Sequence, residues 1–583
     1  MALSRCYPGH PRLAVGPSQR DQLVDITDQG SVAEYHNAAP TAGAGVASSA
    51  SKATTLPLTA AASFPPPDVR MITSLPSTVK SPGNRSNHLV GVSVAGHGAL
   101  TIGDVITGRL TAKARGSWRW QSPGELALCE PHERGVFVPV DEGYHDARRV
   151  WNGGIDRRPA VITCCQSAAD VAAAIDLALQ QDLEISVRGG GHNVWGAAVS
   201  TSGMMIHLGG MNGVSIDPAA RRVRVGGGAL LADMDAATQA HGLATTTGMV
   251  SHTGVGGLTL GGGFGWLAHR HGLAIDNLLS AEIVTADGQI LRASQEDNTD
   301  LFWALRGGGG NFGVVTEFEF RLHEVGPMVD FGMFFFDLDH AAEALRLGRE
   351  LATAVSRDVT VLISALNAPP ASFVPAQYHF QPGYAVLAAG FGQGDEHARI
   401  AARIRESGPR LFEFVSPMHY VQLQQLLDQA NAWGLHCYEK GLYLDELSDE
   451  VIAVITEQVR GKSAPLSYSV LVPMDGAYRD MGDDDTAWGG SRSGYMIFIV
   501  GLATTSELLD ADRSWVRSFW QALLPHAHGT GCYVNGLAQF EEERVRASYG
   551  PVKYERLAQT KAIYDPENIF HRNANIKPAP ASG

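Results

Sequence analysis

The chain has 583 residues, 44% hydrophobic and 18% charged, with a formal net charge of -15 at pH 7. That length accommodates two or three domains with ordinary cores. The acidic balance argues against a nucleic-acid role, which needs a basic face, and no apolar run reaches the ~18–20 residues that span a bilayer.

Residues 1–100 read as a disordered extension. Ala38 to Ser63 is mostly Ala, Thr, Ser, Gly and Pro, a composition that buries too little apolar surface to offset its ordering entropy. Met1 to Val15 carries Arg5, Pro8 and Pro11 and lacks a signal-peptide core, so the expected location is the cytoplasm.

The first clear strand is Ala160 to Cys164. Ser167, with Asp170 three residues on, predicts the N-cap of a helix through Gln181. Val171, Ala174, Ile175 and Ala178 form its apolar stripe. Ile185 to Arg188 is the next strand and runs straight into glycine. Strands are expected at Met204 to Leu208, Arg222 to Val225, Ser280 to Thr285, Ile290 to Arg292 and Val314 to Leu322, with a helix from Leu230 to His241 closed by Gly242. Beyond 325 the chain is richer in aromatics and poorer in glycine. Strands at Phe331 to Leu338 and Val359 to Leu366 flank a helix from His340 to Ala354, which predicts an antiparallel α+β unit. No repeat is visible.

The six cysteines, Cys6, Cys129, Cys164, Cys165, Cys437 and Cys532, are too scattered for a disulfide framework and read as free thiols. The histidines show no ligand spacing, so no metal is expected. The acidic stretch Asp480 to Trp488 lacks the spacing of a calcium loop and reads as a mobile surface loop near a substrate mouth.

Three glycine-rich loops carry the chemistry: Gly189-Gly190-Gly191, Gly254 to Gly265, and Gly307 to Gly310. Each costs backbone entropy, so one alone reads as a tight turn. Three together point to an extended anionic ligand approached by backbone amides. A Rossmann reading fails for want of an acidic ribose partner, and no Walker lysine is present.

Arg188-Gly-Gly-Gly-His192-Asn193, Gly248 to Gly257 with Gly261 to Gly265, and Leu305 to Gly313 resemble the FAD-linked oxidases of the berberine bridge enzyme-like group, with its vanillyl-alcohol-oxidase-type FAD fold. Tyr533-Val-Asn535 and Tyr564 to Ile576 resemble the group's closing signature. The resemblance covers roughly 145–578. It implies an α+β fold of two lobes. One is a PCMH-type FAD-binding domain over 145–325 completed by a C-terminal segment over 530–578. The other is a substrate domain over 326–529 with an antiparallel sheet.

The resemblance makes His192 the residue bonded to the flavin 8α-methyl. Many relatives add a cysteine link, but Val250 occupies the matching position, so a single bond is expected. The resemblance also brings to the cofactor Arg188, Gly189, Gly190, Gly191, Asn193, Gly248, Val250, Ser251, His252, Thr253, Gly256, Gly257, Gly261, Gly262, Gly263, Gly265, Gly310, Asn311, Gly313, Val314, Asn535, Asn573 and Asn575. Thr253 falls where relatives control oxygen access. Asn535 and Asn575 either bind flavin or stiffen the site. Asn311 to Gly313 reads equally as a turn, and Arg306 as an ion pair between domains. Tyr533 is the candidate base, the alternative being a satisfied core tyrosine; a phenol with pKa near 10 needs a neighbouring cation or network to lower it, or a concerted transfer. The implied reaction passes hydride from a small molecule to flavin N5, with reoxidation by dioxygen to hydrogen peroxide. A flavin dehydrogenase with another acceptor and an inert flavin binder are the alternatives.

Overall fold

The computed structural model describes residues 135–580 apart from Gln393, and the backbone of a hairpin formed by 109–113 and 117–121. The disorder expected over 1–100 lies outside the described residues, as do Cys6 and Cys129.

Gly135–Phe137 (β1), Val161–Cys164 (β2), Ile185–Arg188 (β3) and Met204–His207 (β4) form a sheet in the order β1-β2-β4-β3. β2 and β3 run parallel to β4, so the chain must cross over between β2 and β3. Ala168–Gln180 (α1) makes that crossover, and the Ser167 side chain accepts from the Asp170 N–H at 3.2 Å. Its predicted stripe, Val171, Ala174, Ile175 and Ala178, is buried.

Val214–Asp217 (β5), Arg222–Gly226 (β6), Leu278–Val284 (β7), Ile290–Ser294 (β8) and Val314–Arg321 (β9) build an antiparallel sheet in the order β8-β7-β9-β6-β5. Leu231–Gln239 (α2), Val255–Leu260 (α3) and Thr299–Leu305 (α4) pack with it. Gly242 takes a φ of +66°, the left-handed conformation expected of a residue past a helix end.

The third sheet has seven antiparallel strands: Met328–Asp337 (β10), Val359–Asn367 (β11), Pro382–Gly390 (β12), Phe412–His419 (β13), His436–Leu444 (β14), Tyr468–Pro473 (β15) and Tyr495–Ala503 (β16). Their order is β13-β10-β12-β11-β15-β16-β14. Ala341–Ala354 (α5), Asp449–Val459 (α6) and Ser506–Leu523 (α7) cover one face. The other face packs on Trp266, Leu267, Leu273 and Ile275, next to the second glycine loop. Cover on both faces explains why β16 is apolar throughout rather than alternating. The α+β class with an antiparallel sheet is as expected.

Glu542–Tyr564 (α8) brings the chain back to the second sheet. It breaks at Gly550, φ +72°, just before Pro551. The acidic stretch differs from the free loop expected: Trp303 and Arg306 donate to the Asp484 and Asp485 carbonyls, and Lys553 bridges Asp483 and the Trp488 carbonyl. Thr486, Ala487 and Trp488 are buried. A helix, a lysine and a buried indole pin it.

Candidate active site

β3 ends at Arg188, and the first glycine loop then presses onto the second. A Cβ on Gly190 would lie 2.2 Å from the Gly254 nitrogen, and one on Gly254 would lie 2.3 Å from that of Gly190. Only glycine permits two backbones to meet this closely. The third loop joins the second through Gly309 N–H and the Leu260 carbonyl, 2.9 Å. The three loops are therefore one assembly.

His192 leaves the first loop into an aromatic clamp. Trp151 stacks on it at 5.2 Å with a 20° interplanar angle, and the Trp433 ring meets it edge-on at 6.0 Å. Its Nε2 lies 2.7 Å from His252 Nδ1. Burial, with the facing His252, pulls the His192 pKa down to about 3, so the imidazole is neutral across the physiological range. Its Nδ1 makes no hydrogen bond among the described residues.

Tyr533 sits on the segment between α7 and α8. Its hydroxyl oxygen accepts from the Gly263 N–H at 2.9 Å and the Asn535 amide at 3.0 Å. The Gly262-Gly263 turn, with φ of +133° and +74°, aims that N–H at the ring. Asn535 also donates to the Gly257 and Leu258 carbonyls. Burial pushes Tyr533 up to about 12, against the pull of those two donors. Phe264 and Phe498 flank it edge-on at 5.5 and 6.2 Å.

The remaining predicted residues divide by what their side chains already touch. Asn311 donates to Gly308 and Ala574 and accepts from Ile576, so its amide is spent on holding the tail. Val314 is a core residue of β9. Arg188 lies 2.7 Å from His207 and donates to the Arg149 carbonyl. Asn193 caps its own turn at Ala197. Ser251 is bound through both N–H and hydroxyl to Asp428. Gly248 and Gly265 lie where a Cβ would strike Leu258 and the Thr247 carbonyl, and Gly313 (φ +149°) abuts Val284. Arg306 donates to a carbonyl rather than forming the ion pair considered above.

Other groups are open to a ligand. Cβ atoms on Gly257 and Gly310 would meet nothing within 4 Å. Asn573 and Asn575 carry buried, unpartnered amide oxygens, although Asn573 donates to the Gly310 carbonyl at 3.0 Å. A cradle of bare backbone with waiting polar groups fits a long, polar, anionic cofactor such as FAD. Among the described residues no cluster of three His, Cys, Asp or Glu is placed to hold a metal, the four cysteines are free, and no helix is long and apolar enough to cross a membrane.

Sequence reasoning missed Trp151, Trp433, Asp428 and Glu439. The first three are set by tertiary contact with distant loops. Glu439 had a signal: with Lys440 it is one of two adjacent charges in the largely apolar segment Cys437 to Leu444.

A family model described as FAD binding domain matches residues 159–294, and one described as berberine and berberine like matches 532–577. The chain is 32% identical over 458 residues to (R)-6-hydroxynicotine oxidase of Paenarthrobacter nicotinovorans, across 76% of this chain and 96% of that protein. The crystal structure of 6-hydroxy-D-nicotine oxidase from Arthrobacter nicotinovorans superposes with a TM-score of 0.68 at 28% identity, covering 77% and 98% of the two chains. A berberine bridge enzyme variant superposes with a TM-score of 0.67 at 22% identity, covering 76% and 96%, a likeness of fold alone. By its motifs, its fold and a relative matched nearly end to end, the chain belongs to the berberine bridge enzyme-like family of FAD-linked oxidoreductases.

Proposed function

We propose that the chain is an oxidase that carries FAD on a single covalent bond from His192 and removes hydride from a small alcohol, sugar or amine. The observation that carries this reading is the state of the His192 ring. It is clamped by Trp151 and His252, held neutral, and left with one nitrogen free beside the glycine assembly. A neutral, oriented imidazole would be a competent nucleophile toward the flavin 8α carbon once that methyl had given up a proton, a second proton being released and the two electrons passing through the flavin to dioxygen. With Nε2 engaged by His252, Nδ1 is the atom that bonds. Val250 supplies no thiol, so the link is single.

Bound FAD supplies the hydride acceptor, and dioxygen is the proposed reoxidant. Tyr533 is the catalytic residue. It takes the substrate proton as a phenolate, which the Gly263 N–H and the Asn535 amide stabilise as an oxyanion. Gly257, Gly310, Asn573 and Asn575 hold the cofactor, while Asn311 and Arg188 hold the loops. Thr253 lies beside His252 in the loop proposed to control oxygen access.

Two measurements test this. Acid-precipitated protein should stay yellow, and a tryptic peptide containing His192 should carry the flavin mass. His192→Ala should release all colour on precipitation yet still bind FAD in the native state. Peroxide should form on turnover of a panel of amines, alcohols and sugars, beginning with (R)-6-hydroxynicotine, the compound in the relative's name. A colourless precipitate under a yellow supernatant, with unmodified His192 peptide, defeats the covalent reading, and turnover without peroxide defeats the oxidase.

A further inference from the structure

The sheet face turned toward the glycine loops is largely apolar; Thr360 and Ser364 on it spend their hydroxyls on carbonyls, and Glu439 puts a carboxyl there. Along β14, Tyr438, Leu442 and Leu444 belong to the core under the helices, whereas Cys437 and Tyr443 belong to the core facing the glycine loops. Strand alternation puts Glu439 and Gly441 on that second face. In register, Glu439 lies beside Val500 of β16, and Val500 beside Tyr468 of β15.

The neighbouring rows locate Glu439. Gly441 pairs with Phe498, which stacks on Phe264 at 5.4 Å and meets the Tyr533 ring. On the other side, the Cys437 N–H donates to Asn152, whose amide donates to the Val194 carbonyl, two residues past His192. Two residues along a strand span about 7 Å. Glu439 thus stands one such step from the row that touches Tyr533 and one from the row tied to the His192 loop.

Glu439 is partly exposed, and its carboxyl has no hydrogen bond or ion pair among the described residues. Burial alone pushes its carboxyl up to about 7. The titratable groups that feel its charge are Cys437, Tyr468, Cys532 and Tyr533. Burial pushes all four upward, so each is uncharged near neutrality. Lys440, next in sequence, lies over the Trp520 ring, 4.5 Å from its centroid, among the residues of the opposite face. An unpaired carboxylate on an apolar wall is costly unless a ligand brings the opposite charge.

We propose that Glu439 is the counter-ion for the substrate, and that the substrate is a compact apolar amine bound as its ammonium. This rests on the flavin reading above and narrows its substrate class. Oligosaccharides suit the wall poorly: Tyr468, Val470, Phe498 and Val500 offer one hydroxyl among them, whereas a sugar presents many. The assignment also answers the need of Tyr533. Among the described residues no cation acts on that phenol, and an ammonium held at Glu439 would favour its ionisation.

The test uses the oxidised holoenzyme under anaerobic conditions, with the flavin absorbance as readout. The probes are benzylammonium, benzyl alcohol and benzoate. Benzylammonium should bind about tenfold more tightly near pH 8 than near pH 6, because a carboxyl titrating at about 7 ionises across that interval. Benzyl alcohol should show no such dependence, and benzoate should bind most weakly. Glu439→Gln should keep its flavin and lose both the preference for the cation and its pH dependence. Equal binding of the three probes, or a cation preference that survives the substitution, overturns the proposal. The wild-type pH series stands alone if the variant fails to fold. Protein without flavin defeats the cofactor reading instead, so the two failures are distinguishable.

Discussion

Tyr533 shows how a residue's neighbours set its chemistry. Its hydroxyl oxygen accepts two hydrogen bonds, and these donors would stabilise the phenolate form that the proposed base requires against the upward push of burial. Removing the hydroxyl by Tyr533→Phe should leave the flavin bound and lower kcat by roughly 10²–10⁴-fold, the usual contribution of a positioned acid or base. Anaerobic stopped-flow bleaching of the flavin measures it, and an unchanged rate would make Tyr533 a packing residue. The motif around Tyr533 and His192 was readable as a linear string. The His252 contact and the Trp151 stack were not, because the partners lie 60 and 41 positions apart (192 to 252, 151 to 192) and no spacing rule reaches that far.

At the scale of elements, the glycine loops serve contact as much as ligand. Gly190 and Gly254 meet backbone to backbone, so neither side can yield by rotating a side chain. Gly190→Ala should therefore destabilise by several kcal/mol or prevent folding, beyond the ~1 kcal/mol typical of a point substitution. Gly257→Ala, whose Cβ meets only open space, should fold normally and lose FAD affinity instead. Thermal melting and flavin content separate the two outcomes, and equal effects would remove the distinction between packing and cradle glycines. Helix α1 was legible because its cap and stripe are local. The six-residue α3 was hidden by the glycines that make its turn useful.

Across the whole molecule, the C-terminal tail closes the glycine assembly. Lys561 is fully buried and reaches Asp565, the Asn311 carbonyl and the Phe570 carbonyl at 2.7–3.0 Å. Asp565 in turn accepts from the Ile569 and Phe570 N–H groups. Lys561→Met would leave a buried carboxylate without its cation, a loss on the order of 3–5 kcal/mol. Chemical denaturation should show that loss together with weaker flavin retention. A change within 1 kcal/mol would mean that the tail is held by its apolar packing, Leu557 and Ile576 included. Asp428 and Asn152 make comparable ties from the flavin loops to the seven-stranded sheet and its flanking loop.

From the amino-acid string came the α+β class, the three glycine loops, and the motifs that make His192 and Tyr533 the proposed flavin ligand and base. Each depends on residue type and near-neighbour spacing, which a linear reading preserves. Tertiary structure decided which glycines pack and which face open space, that Asn311 and Val314 serve the scaffold, and that Glu439 stands unpaired opposite the loops. Those outcomes depend on which distant backbones meet and which charges find partners, and both are properties of the folded chain.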